Sequence, residues 1–225
     1  MWLLSVTPIS RGINKERLYY FSSEQFKEGD LIEVPVRSRQ IIAKVEEIRS
    51  VADAKSELKL LPFAIRKASL LKTARFFSDA FMSAAENSAA YFGCAMGLTL
   101  HSLLPPKRLL SALNFDYDAK KDREKTLNGH AAYVLQCADE DRMGTYRRMA
   151  REEFAGKRSI IIVLPTIAEA IKTHKEVQKG VEKYAYLLHQ RLAKPALARD
   201  WQAALTSEHP VIAVTTPQFM GLPRT

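Results

Sequence analysis

From residue 132 onward, short runs of β-branched and aliphatic residues alternate with longer amphipathic stretches, and few folds accept that order. The short runs are residues 132–136, 159–164, 184–189 and 211–215; the stretches between them are residues 145–155, 167–180 and 194–206. Parallel neighbours need a long crossover, and a crossover buries its apolar stripe best as a helix on the sheet. The alternation therefore predicts a parallel sheet in a three-layer α/β domain.

The first fifty residues follow a different pattern. Residues 2–7, 17–21, 31–36 and 40–48 are rich in strand formers, and Gly29-Asp30 marks a turn before the third run. The fourth partly alternates apolar with polar, as a half-buried antiparallel strand does. Next, residues 64–82 carry Ile65, Leu70, Leu71, Phe76, Phe77 and Phe81 at mostly helical spacing, and residues 84–104 are more uniformly apolar. Two packed helices are expected there, the second stopped by Pro105-Pro106. Residues 107–130 mix opposite charges closely and read as a linker. The expected organisation is α/β overall: a small β-rich domain with two packed helices over residues 1–106, a linker over 107–130, and a parallel-sheet domain over 131–225.

The chain has 225 residues, enough for one or two domains with a proper core, and 47% of them are hydrophobic. A net charge of +9 favours a polyanionic partner, although the cations are dispersed in pairs such as Arg66/Lys67 and Arg147/Arg148 rather than gathered in one run. Cys94 and Cys137 lie in apolar surroundings without metal-ligand spacing, which predicts reduced thiols in a cytoplasmic protein. His130, His174, His189 and His209 form no ligand pattern, so neither a metal nor another cofactor is expected. Glu86, Asn87 and His101 interrupt the apolar stretch before Pro105, so no membrane span is expected. Arg147, Arg148 and Arg151 lie on one helical stretch and read either as a phosphate-facing surface or as a plain solvated face.

Two blocks of residues stand out as motifs. The first is Lys27-Glu-Gly-Asp-Leu-Ile-Glu-Val-Pro35, followed by residues 39–48 and Glu57-Leu-Lys59. The second begins with Tyr133-Val-Leu-Gln136 and continues through Pro165-Thr166, Leu188-His189-Gln190-Arg191-Leu192, Trp201 and residues 214–220. Both blocks resemble the primosomal protein N′ family of replication-restart helicases, and the resemblance implies a domain that recognises DNA 3′ ends over residues 1–106 and a RecA-like first motor lobe over residues 131–225. It carries the family's nucleotide-pocket lysine onto Lys59, its aspartate near Tyr19 and its glycine onto Arg37. Tyr19 or Tyr20 is then read as a base-stacking residue or as strand packing, with Arg37 and Arg39 holding phosphates.

The same resemblance places the family's GxxxxGK[ST] loop at Gln136 to Met143. The loop needs glycines for close backbone approach to phosphate, a lysine for the terminal phosphates and a hydroxyl for Mg²⁺. Gln136 and Asp141 stand at the two motif glycines, Asp139 at another inner glycine, Arg142 at the lysine and Met143 at the hydroxyl. Carboxylates in that position repel ATP, and the stretch reads better as an acidic loop capping the next helix, with Asp141 as the cap. The resemblance further implies an Asp-Glu-x-His strand after Thr225, so the lobe reads as incomplete.

The expected function is accordingly non-catalytic: binding of forks, 3′ ends or single-stranded DNA in replication restart, in company with other restart proteins. Two alternatives stand beside it. One is the N-terminal part of an ATP-dependent DNA helicase. The other is a protein-interaction scaffold without DNA affinity that docks through residues 84–104.

Overall fold

The computed structural model describes residues 1–13, 15–53, 65–73, 76–110 and 133–222. The chain divides into two compact units, Met1–Tyr117 and Asp118–Thr225.

The first unit is built on six strands: β1 (Trp2–Ile9), β2 (Leu18–Ser22), β3 (Leu31–Val36), β4 (Arg39–Ser50), β5 (Arg66–Lys67) and β6 (Ser69–Thr73). Their order in the sheet is β5-β2-β1-β4-β3-β6. β1 pairs antiparallel with both β2 and β4, and β3 pairs antiparallel with β4. The two outermost strands, β5 and β6, are consecutive in the chain and separated by Ala68 alone. One segment therefore hydrogen-bonds to both edges of the sheet and curls it into a small barrel. The Ala68 N–H donates to the Phe21 carbonyl at 2.8 Å, at the joint itself. Leu4, Val6, Tyr20, Ile32, Val34, Ala43, Val45 and Ala68 fill the interior. Each fully buried aliphatic side chain contributes roughly 1.5–3 kcal/mol.

This closure corrects the helix expected over residues 64–82. Four of the six apolar residues named there fall in adjacent pairs, and short apolar runs carry no decisive period. The backbone donors and acceptors waiting at the two sheet edges decide the conformation instead. Among the described residues of this stretch, helix begins only at α1 (Asp79–Phe92), where the Ser78 hydroxyl accepts from the Phe81 N–H at 3.1 Å. The single helix expected over residues 84–104 is likewise two, α1 and α2 (Met96–Leu103), parted at Gly93 with φ +59°. α2 lies against β1 so closely that a Cβ on Gly97 would stand 2.0 Å from the Pro8 carbonyl oxygen. Part of the expected linker also belongs to this unit. Lys107–Leu110 forms a short helix, α3; Leu109 and Leu110 are buried, and the Lys107 ammonium pairs with Glu33 at 2.7 Å.

The second unit holds α4 (Asp139–Ala155), β7 (Ile160–Val163), α5 (Ile167–Val177), β8 (Ala185–Leu188), α6 (Lys194–Thr206) and β9 (Ile212–Thr215). The three strands are parallel in the order β7-β9-β8. α5 carries the chain past β9 and α6 brings it back, so right-handed crossovers put the two helices on opposite faces of the sheet. Ala150, Ala170, Val177, Ile212 and Val214 form the core on the α5 side. Trp201, on α6, is fully buried with its ring against Phe219.

A further strand was expected over residues 132–136, but residues 133–136 are unpaired and exposed, Tyr133 at 91% and Val134 at 100%. α4 begins at Asp139, six residues before the expected start, and its N-cap is Ala138 rather than Asp141. Among the described residues, β7 has only one strand neighbour, and Ile161 and Val163 are exposed on it. No helix among the described residues is long and apolar enough to cross a membrane.

Candidate nucleic-acid interface

Arg37 and Ser38 form the two-residue turn between β3 and β4, because Val36 pairs directly with Arg39. Arg37 sits at φ +54°, in the left-handed region where an L side chain costs roughly 1–2 kcal/mol relative to glycine. β5 runs parallel to β2 with Arg66 beside Tyr20, and the Arg66 Nη1 donates to the Arg37 carbonyl at 3.0 Å. Barrel closure thus carries Arg66 to the hairpin end that already presents Arg37 and Arg39, while Lys67, next on β5, alternates to the outer side. All four cations are exposed, and none is within ion-pair distance of a carboxylate among the described residues. Arg66 was legible only as a charge pair in the sequence, since its partner lies 29 residues away.

The two tyrosines separate. Successive strand residues face opposite sides of a sheet. Tyr20 points into the barrel, is 6% exposed, and donates its phenol to the Pro35 carbonyl at 3.1 Å. Burial raises its pKa above 10.0, with Arg66 opposing. Its ring is strand packing and offers no face to a base. Tyr19 points outward and is 40% exposed.

The sheet register places Tyr19 and Glu47 on either side of Ser5, and Leu3 opposite Arg49. These five residues line a dent of about 40 Å³. The Ser5 hydroxyl is buried beneath it without a protein hydrogen-bond partner. The Arg49 Nε donates to Glu47 at 2.6 Å, which holds the Glu47 carboxyl below its ordinary range, with Arg17 adding to the effect. Tyr19 therefore belongs to a different surface from the hairpin cations. Lys59, the remaining expected contact, lies outside the described residues.

In the second unit, the residues read as a former nucleotide loop are not a loop. Gln136 lies in the exposed stretch before α4; Asp139, Asp141, Arg142 and Met143 are in its first turns. Acidic residues there complement the positive end of the helix, which satisfies the local electrostatics without an anion. Basic residues of this unit are interleaved with acids: Arg147 faces Glu176 at 4.0 Å, Arg148 faces Glu152 at 3.9 Å, and Arg158 pairs with Glu153. His189 is buried at the end of β8, and its Nδ1 accepts from the Arg191 N–H at 3.2 Å. Burial keeps its pKa below 6.5, with Arg191 adding to the effect. The His174 Nε2 lies 3.3 Å from the Ala185 carbonyl, and burial lowers its pKa as well. Cys94 and Cys137 are free thiols, both half-buried.

No family model matches the chain, and no curated protein matches it.

Proposed function

We propose that the protein binds DNA through the barrel of its first unit and does so without hydrolysing ATP. The observation that carries this reading is the hairpin end of the barrel, where Arg37, Arg39 and Arg66 come together without carboxylate partners among the described residues. Cations left unneutralised by the protein favour a polyanion, and releasing counterions from its phosphates drives association. The backbone cost at Arg37 adds support, since a glycine would meet the turn without it. Tyr19, exposed beside Arg49, supplies a second surface on which a base stacks.

Absence of ATP hydrolysis is supported by α4, whose first turn carries Asp139, Glu140 and Asp141 where a phosphate site needs bare backbone amides. The resemblance of both blocks to replication-restart helicases points to branched DNA at forks, with 3′ ends as the favoured feature and restart proteins as the company in which it acts.

The test is fluorescence anisotropy with a model fork carrying a free 3′ end, a fork with that end blocked, and a single strand. Three phosphate contacts give a slope of log affinity against log salt of about −2 on a single strand. Tighter, salt-sensitive binding to the free end is the expected result. Equal binding to all three reduces the function to general nucleic-acid affinity, and salt-insensitive or absent binding overturns the reading.

A further inference from the structure

The segment that closes the barrel is tied to the rest of the sheet by short ladders. β5 meets β2 at Tyr20↔Arg66 and Phe21↔Lys67, and β6 meets β3 between Leu31 and Glu33 with a break in register. By contrast, β1 pairs with β4 along its whole length, from Trp2 to Ile9. Past Glu33, at Val34, Pro35 and Val36, the side of β3 away from β4 meets no strand among the described residues. Side chains span the seam there instead. The Ser69 hydroxyl donates to the Glu33 carbonyl at 3.3 Å, the Tyr20 phenol to the Pro35 carbonyl at 3.1 Å, and the Arg66 Nη1 to the Arg37 carbonyl at 3.0 Å. A short segment with few backbone bonds is the part of a sheet that opens locally, without global unfolding.

The hairpin cations straddle this seam. Arg37 and Arg39 belong to the β3–β4 hairpin, which is part of the main sheet, whereas Arg66 belongs to the closing segment. A guanidinium has five N–H donors in a fixed fork. Arg66 gives one of them to the Arg37 carbonyl, and its side chain is exposed, so the others face solvent beside the turn. A phosphate seated between Arg66 and the hairpin is therefore held from both sides of the seam. With the segment undocked, one side remains.

We propose that DNA binding and docking of the Arg66–Thr73 segment form one linked equilibrium, with Arg66 as the residue that couples them: DNA locks the segment onto the barrel, and undocking of the segment loosens DNA. The proposal rests on the DNA-binding reading above and adds a regulation to it. A ligand that binds the docked form alone shifts the docking equilibrium by its concentration relative to its Kd, and such coupling is reciprocal.

The test is amide hydrogen exchange of the full chain by NMR, under conditions where exchange reports the opening equilibrium. The probe is a thymidine oligonucleotide whose Kd is measured by anisotropy. The Ala68 N–H, bonded to the Phe21 carbonyl at 2.8 Å, reports docking; the Val45 N–H, bonded to the Asp30 carbonyl at 2.8 Å, reports the main sheet; the Cys94 N–H, bonded to the Ala89 carbonyl at 3.0 Å, belongs to neither side of the seam. In the free chain Ala68 is expected to exchange faster than Val45. Oligonucleotide at about 100 times its Kd should slow Ala68 about 100-fold and leave Cys94 unchanged. Arg66→Gln, at the same multiple of its own Kd, should lose that slowing; a merely structural Arg66 would speed exchange in the free variant yet leave the slowing intact. Unchanged Val45 exchange verifies that the variant is folded. Ser69→Ala removes a bond across the seam and touches no cation, so Ala68 in the free variant should exchange about threefold faster with the salt slope of DNA binding unchanged. An oligonucleotide that does not bind overturns the DNA-binding reading and this proposal together. Binding that leaves Ala68 exchange unchanged, slowing that persists in Arg66→Gln, or an unchanged Ala68 rate in Ser69→Ala overturns the linkage alone.

Discussion

Arg37 holds a conformation that opposes its own side chain. The left-handed backbone at φ +54° is easily available to glycine and costly to arginine. Arg37→Gly is therefore expected to stabilise the first unit by about 1 kcal/mol, read as a higher urea midpoint with unchanged slope. The same change should weaken DNA binding and make the salt slope shallower by about one phosphate contact. Stabilisation with undiminished DNA affinity would separate this turn from the interface. Tyr19 and Tyr20 show the limit of residue-level reading. Adjacent strand residues must face opposite sides, so the sequence predicts that one is buried and one exposed. Which of them is buried depends on the face that β5 and β6 close over, and that information is not local to the pair.

At the scale of elements, the barrel depends on a short segment that reads as helix. Ala68 is buried between its two strands among Leu4, Val6 and Tyr20. Ala68→Glu would place a carboxylate in that interior, and a loss of about 3 kcal/mol in chemical unfolding is expected. A surface-sized effect would mean that the segment is dispensable for closure.

The strands of the first fifty residues were legible because their β-branched runs and the turn at Gly29-Asp30 act locally. The alternation after residue 158 was legible for the same reason, and it predicted β7, β8 and β9 with the helices between them. The segment around Ala68 was not, because its conformation is decided by partners far away in the chain: Tyr20 and Phe21 on one side, Ile32 and Glu33 on the other. The unpaired stretch before α4 was misread in the opposite sense. Tyr133-Val134-Leu135 has the composition of a strand, but none of the described strands pairs with it. Of the candidate interface, Arg37 and Arg39 were read through the family resemblance, whereas Arg66 joins them only through the closed barrel.

For the whole molecule, three histidines share one sign of pH dependence. His101, His174 and His189 all have pKa values lowered below 6.5, in each case first by burial. The unfolded chain takes up protons near that pH while the folded chain resists them. Their contribution to stability is therefore complete above about pH 6.5, falls as the pH drops below it, and levels off once the folded imidazoles are also protonated. Thermal unfolding at about pH 7.5 and about pH 5.5 should show the loss, and His174→Gln should reduce the difference between the two. A midpoint that rises on acidification would reverse the assignment. His174 is the most informative of the three to change, since its Nε2 also meets the Ala185 carbonyl.

Closure of the barrel by one late segment also sets a schedule for synthesis. The first four strands emerge from the ribosome well before Arg66–Thr73, so until then the nascent sheet has two open edges and its interior face is wet. Among the described residues, no earlier strand substitutes for the missing staple. A pause in translation just before residue 66 would prolong the interval in which nascent chains can pair edge to edge, and synonymous codon choice in that short stretch becomes a determinant of yield without altering a single amino acid.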